Sequence, residues 1–340
     1  VPYNDPERIL VAGCGTSQAV RYASRYPSSG VVGIDVSDRS LSASRRLADH
    51  HGVENLELVG LPIEQVDRLG GGFDLIVCTG VLHHLADPSA GFLSLRSVLN
   101  VGGACRLMVY GRHGRAGISM IREYAQLLGV EPTQAGVDDL VASLREIPLG
   151  HPIRHALSES ADVQDRDALA DALLNPRERS YSVPELLDEV AAAGLRFGRW
   201  VHQAPYRPQC GAITEVPHGR RAAALSERDQ FAAMELYRGT INRHSLIAHR
   251  DDASLPAVES GVSRWRDVVP IAAPTAVLID DRLPRVRPAP SSIERTRIAT
   301  WCSSSTRSSG RRSSRSTVAD LPATSRERRP TFSTCCGCTT

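Results

Sequence analysis

The chain has 340 residues and a mass of 36.8 kDa, and with 41% of them hydrophobic it can bury one large core with additions, or two smaller ones. Its formal net charge is +2, all 40 basic residues are arginine, and the basic excess sits in residues 291–340, where nine arginines face three acidic residues. The rest is mildly acidic, which gives no electrostatic footprint for nucleic acid, and apolar runs of strand length give neither a membrane span nor a signal peptide.

Apolar runs and turn residues alternate regularly through the first third. The pattern predicts a strand at 9–12, a helix at 17–25, a strand at 31–34, a helix at 39–50, a strand at 56–59, a short helix at 63–69, a strand at 73–79, a helix at 88–99 and a strand at 104–109. Short strands, apolar on both faces and separated by helices, imply right-handed βαβ units. The fold class is therefore α/β, with a doubly wound, mostly parallel sheet.

Beyond residue 109 the pattern turns helical, with helices expected at 118–128, 137–145 and 168–174, a polar stretch at 151–167 and a further helix from Pro184 closed by Gly194. A helix at 226–243 and a late hairpin from 265–271 and 276–279 complete the expectation. Cys14, Cys78, Cys105 and Cys210 read as small core residues of a reduced protein, so a cytoplasmic location is expected. Cys302, Cys335, Cys336 and Cys338 lie in a tail where Ser, Arg and Thr make up 30 of 50 residues, with no histidine after residue 249 to complete a metal site. That tail reads as a disordered arm or as an out-of-frame translation of a GC-rich coding sequence.

The stretch VAGCGTSQAV places Gly13 and Gly15 directly after the first strand. Such a turn lets a nucleotide approach the backbone, and both NAD and S-adenosylmethionine (SAM) use it. The dinucleotide fingerprint requires a third glycine where Gln18 stands, and it opens a helix onto a pyrophosphate that SAM lacks. Asp35 ends the second strand 20 residues past Gly15, where a carboxylate can accept both ribose hydroxyls of either cofactor, or else cap the following helix.

The segments ILVAGCGTS, VVGIDVS, NLELVGLPIEQV and FDLIVCTGVLHHLADP, in this order and spacing, resemble the successive motifs of class I SAM-dependent methyltransferases, and LRSVLNVGGACRLMVYG continues the likeness. YGRHGRAGISMIREYAQLLG and NPRERSYSVPELLDEVAAAGLRFGRWVHQAPYRPQCG extend it, to about residue 281, towards uncharacterised bacterial members acting on small molecules. The resemblance implies SAM as cofactor and a small-molecule acceptor, with no nucleic-acid or membrane partner. It divides the chain into a Rossmann-like core at 1–112, a helical substrate-side extension with the remaining strands at 113–285, and the tail at 286–340. The family usually carries helices before the first strand, so the start reads as truncated. Val11 and Ser17 stand where its strict turn has an acid and a third glycine.

By the same resemblance Gly13 and Gly15 pass under the methionine part, Asp35 takes the ribose, Leu61, Pro62 and Ile63 border the adenine, Thr79 with Gly80 faces the donor from the other side, and Ala12, Cys14 and Val36 complete the cofactor-binding set. His83 and His84 follow the fourth strand, where either can take a proton from an acceptor, line the pocket or bond the loop. His113, with Arg112 and Arg115, can meet an anionic acceptor or belong to a solvated loop. Tyr110, Arg179 and Tyr181 are further substrate-side candidates, and Tyr181 can equally pack against the helix from Pro184. The fourth motif lacks the Asn/Asp-Pro-Pro-Tyr/Phe segment of base and glutamine methylation, leaving oxygen or nitrogen of a small molecule. A non-catalytic SAM-binding sensor and an NAD(P)-linked oxidoreductase are the alternatives.

Overall fold

The computed structural model describes residues 5–154, 166–175 and 178–254. The expected late hairpin and the cysteine-bearing tail lie outside these residues. Seven strands form one sheet in the order β3-β2-β1-β4-β5-β7-β6. They are β1 (Arg8–Ala12), β2 (Gly30–Asp35), β3 (Leu56–Gly60), β4 (Phe73–Thr79), β5 (Leu99–Tyr110), β6 (Leu195–Trp200) and β7 (Arg243–Arg250). The first five run parallel, and β7 inserts antiparallel between β5 and β6.

Ile9, Leu10, Val11 and Ala12 of β1 are wholly buried, as a central parallel strand covered on both faces requires. Ala12 pairs with both Ile34 and Cys78, so the carboxyl ends of β1, β2 and β4 finish level with one another. Strand order reverses between β1 and β4, which opens a crevice at that edge.

Helices α1 (Gln18–Arg25), α2 (Asp38–His51) and α3 (Pro88–Val98) make the crossovers. Their starts follow local chemistry. Ser37 caps α2 by accepting from the Ser40 amide, and Asp87 caps α3 by accepting from the Ala90 amide just ahead of Pro88. Between β5 and β6, α4 (Ala116–Leu127), α5 (Gln134–Arg145) and α6 (Arg166–Leu174) gather a small core of their own around Ile121, Leu140, Leu144 and Ile153. Helix α7 (Val183–Ala192) then starts on a capping box in which Ser182 and Glu185 bond reciprocally.

Two strands were not foreseen, and the helix expected at 226–243 is shorter. After α8 (Pro217–Ala223), helix α9 (Glu227–Arg238) stops at Gly239, whose φ of 64° is the left-handed conformation that ends helices. The following RHSLIAHR alternates, burying His244, Leu246 and Ala248, and forms β7.

Buried polar groups lock this last strand in place. Tyr206 Oη lies 2.8 Å from His244 Nδ1, and His244 Nε2 lies 3.0 Å from the Tyr181 carbonyl and 3.2 Å from Glu235 Oε1. A carbonyl can only accept, so Nε2 carries the proton and Nδ1 accepts from the tyrosine. Glu235 Oε2 in turn accepts from the Val183 amide, joining α7, α9 and β7. Replacing Tyr206→Phe strands a buried nitrogen and is expected to lower stability by about 1–2 kcal/mol in urea unfolding; an unchanged midpoint would contradict this reading.

Candidate active site at the carboxyl ends of the strands

The turn after β1 is built by two glycines in positive φ, Gly13 at 68° and Gly15 at 57°. A Cβ on Gly13 would lie 2.3 Å from a methyl of Val81, so only glycine passes beneath that loop, whereas the space above Gly15 is open. The Cys14 amide donates to the Ile34 carbonyl at 2.9 Å, and Ser44 Oγ donates to the Gly15 carbonyl at 2.9 Å.

Asp35 is the centre of the arrangement. Its Oδ2 accepts from the Gly15 amide at 2.8 Å and its Oδ1 accepts from the Ser37 amide at 2.9 Å. The carboxylate therefore faces the glycine turn, and the helix-capping role belongs to Ser37. Each carboxylate oxygen keeps a second lone pair for a ligand.

The neighbouring edge is mixed. Val36 is 76% exposed, while Leu61 and Ile63 turn their side chains into the core and leave Pro62 half-buried. The Leu61 amide donates to the Asp35 carbonyl at 3.1 Å, tying the two segments together. Across the crevice, Gln18 Nε2 donates to Thr79 Oγ1 at 2.6 Å. The sequence marks Gln18 only as a missing glycine; the structure makes it the link between α1 and β4. Gly80 continues from Thr79, with its amide donating to the Met108 carbonyl at 3.2 Å.

Beyond β4 the two histidines separate. His83 is 1% exposed, its two ring nitrogens lack hydrogen-bond partners, and burial, with His84 and Arg115 nearby, pushes its pKa down to about 3. Its ring centre is 3.9 Å from that of Tyr110, whose ring also meets His84 edge-on at 5.8 Å and the Arg115 guanidinium at 3.6 Å. His84 is half-buried, with Nδ1 3.4 Å from the Asn175 amide nitrogen.

The backbone of residues 178–181 runs over these ends: the Arg179 amide donates to the His83 carbonyl at 2.9 Å and the Tyr181 amide to the Tyr110 carbonyl at 2.9 Å. Tyr181 itself is fully buried in the main core. Arg179 lies over the Tyr181 ring at 4.7 Å and pairs with Glu189 at 2.9 Å, half exposed at the surface. Arg112 pairs with Glu185 at 2.7 Å, also near the surface, and His113 is half-buried in the turn before α4. Glu178, by contrast, is buried between Arg115 and Arg122. Arg122 and Glu178 both lie in segments that carry the resemblance, but nothing in the sequence pairs them, because more than fifty residues separate them and only the fold brings them together.

Residues 10–105 match the family described as "Methyltransferase domain". Residues 10–105 thus form a methyltransferase domain. An uncharacterised protein of Synechococcus sp. is 34% identical over 198 residues, 56% of this chain and 47% of that protein. A ubiquinone biosynthesis O-methyltransferase of Acinetobacter baumannii is 24% identical over 151 residues, 44% of this chain and 62% of that protein. The chain thus spans about half the length of these curated relatives. In fold, PKMT2 from Rickettsia typhi superposes with a TM-score of 0.59 at 18% identity, covering 75% of this chain and 51% of that one, and its complex with AdoHcy gives 0.58 at 19% identity over 74% and 49%.

The methyltransferase domain thus carries, at its fourth strand, an imidazole that stays uncharged at neutral pH. The lowered pKa means that His83 binds its proton only in strong acid, while the unfolded chain binds it near pH 6.5. Between those values the unfolded state holds more protons, so this group makes stability fall as pH drops from about 6.5 towards 3. NMR titration of the histidine side chains should show one imidazole, lost in His83→Gln, that remains neutral down to pH 5. A titration of that ring near pH 6.5 would contradict the burial argument.

Proposed function

We propose that the chain moves the methyl group of SAM to an oxygen or nitrogen of a small molecule, with Asp35 accepting both ribose hydroxyls of the cofactor. The single observation that carries this is the carboxylate of Asp35 held against the glycine turn by the Gly15 amide at 2.8 Å, below open space. The residues present fit the cofactor. Gly13 and Gly15, flanked by Ala12 and Cys14, admit its amino acid end, the exposed Val36 covers one side of the adenine, the Leu61–Ile63 backbone with Pro62 borders its edge, and Thr79 with Gly80 faces the donor from across the crevice.

When bound, SAM supplies a methyl on a positively charged sulfur that a nucleophile displaces in line. The protein's part is alignment and exclusion of water. Gln18 fixes the hydroxyl of Thr79, and so the fourth-strand end, at a constant distance from the glycine turn. His83 cannot take a proton at neutral pH, since its conjugate acid forms only near pH 3. His84 is the remaining base for an acceptor that arrives protonated. Tyr110 and His113 border the acceptor side, where Tyr181 and Arg179 act from behind, by packing and by pairing with Glu189.

Thermal-shift measurements with SAM, its demethylated product SAH, and NAD should show stabilisation by the two sulfur compounds alone. Stabilisation by NAD and by neither sulfur compound would end the proposal. Asp35→Asn removes the charge from the hydrogen bonds to the ribose, about 1.5–3 kcal/mol, and should weaken SAM binding about tenfold or more by titration calorimetry. Unaltered affinity would remove Asp35 from the site.

A further inference from the structure

The reading above leaves the acceptor's chemistry open, and a buried charge imbalance beside the crevice bears on it. The side chains of Arg115, Arg122 and Glu178 are only 8%, 10% and 4% exposed. Glu178 serves both arginines, at 2.9 Å to Arg115 and 3.2 Å to Arg122. The other bonds of Arg122 go to the carbonyls of Ala172 and Asn175, which carry no net charge. Among the described residues, one carboxylate thus answers two guanidinium groups.

The surplus positive charge sits beside the residues that follow β4 and end β5. Arg115 lies flat on one neighbour of His83, the Tyr110 ring, and its Nε has no hydrogen-bond partner. The field of Arg115 reaches His83, where it is one of the causes that hold the imidazole uncharged. A buried ion that lacks its counter-charge is costly, and the cost falls when an opposite charge arrives beside it.

We propose, resting on the methyltransferase reading, that the acceptor is a small molecule presenting an anionic oxygen, a carboxylate or a phenolate, and that the Arg115–Arg122–Glu178 cluster selects it. An anionic oxygen has its lone pair free. The oxygen–methyl bond forms as the carbon–sulfur bond breaks, the bonding pair stays on sulfur, and the positive and negative charges vanish together. No proton moves, so the uncharged His83 is compatible with such a reaction and the reaction does not call on His84 as a base. Arg115 acts here as a specificity residue through its field.

The test uses the full chain loaded with SAH and three planar probes of one shape, benzoate, benzamide and benzamidine, with binding read by titration calorimetry. SAH affinity is measured first; its absence would sink the methyltransferase reading itself. With SAH bound, benzoate should bind at least tenfold tighter than benzamidine, with benzamide between, and rising salt should narrow the gap. Arg115→Gln should abolish the preference with SAH affinity unchanged, and Arg115→Lys, which keeps the charge, should retain it. Equal binding of the three probes, no binding of benzoate, or a preference that survives Arg115→Gln would overturn the proposal. Should Arg115→Gln fail to fold, the wild-type order of the probes and its salt dependence decide the matter.

Discussion

One carboxylate organises the crevice edge of this protein. Asp35 ends β2, reaches back to the amide of Gly15 in the turn after β1, and reaches forward to the amide of Ser37 before α2. Both contacts are charge-assisted hydrogen bonds, shorter and stronger than neutral ones. They fix the glycine turn against the neighbouring strand, and the register of β1 with β2 and β4 brings Thr79 to the same level across the crevice. The Gln18 to Thr79 bond then closes the frame from the other side. A ligand arriving at this edge meets a turn, an acid and a hydroxyl whose positions are already set.

The far ends of β4 and β5, where the proposed acceptor would lie, obey a different logic. The segment at 178–181 crosses the ends of β4 and β5 and buries His83, while Glu178 drops between two arginines of α4 and the turn before it. Burial keeps the imidazole neutral, and among the described residues one carboxylate is shared by two guanidinium groups. On the proposed reading both effects disfavour a positively charged acceptor and a base-driven mechanism through His83. Chemistry that needs alignment more than proton transfer is compatible with such surroundings.

Most of the first hundred residues were legible in the sequence because local signals and tertiary outcome agree there. Strand-length apolar runs, Ser37 and Asp87 as caps and the glycine turn each specify their structure without help from distant residues. The failures came where that agreement breaks. LRFGRW carries only weak alternation and reads poorly as a strand until β7 supplies its partner. The helix expected to run to residue 243 overlooked Gly239, which is a stop signal only if the following residues pair in a sheet. The pairing of Asp35 with the glycine turn was recognisable from its distance to Gly15. The cluster of Arg115, Arg122 and Glu178 was not, since Glu178 comes from a segment remote in sequence. His83 and His84 looked equivalent as a dipeptide, and only burial distinguishes them.

A crystal structure of the chain grown with SAH would test the central claim most directly. The account predicts density lying over Gly13 and Gly15, with both ribose hydroxyls within hydrogen-bond distance of the Asp35 carboxylate and the adenine against Val36. Density elsewhere on the molecule, or a ribose turned away from Asp35, would contradict it.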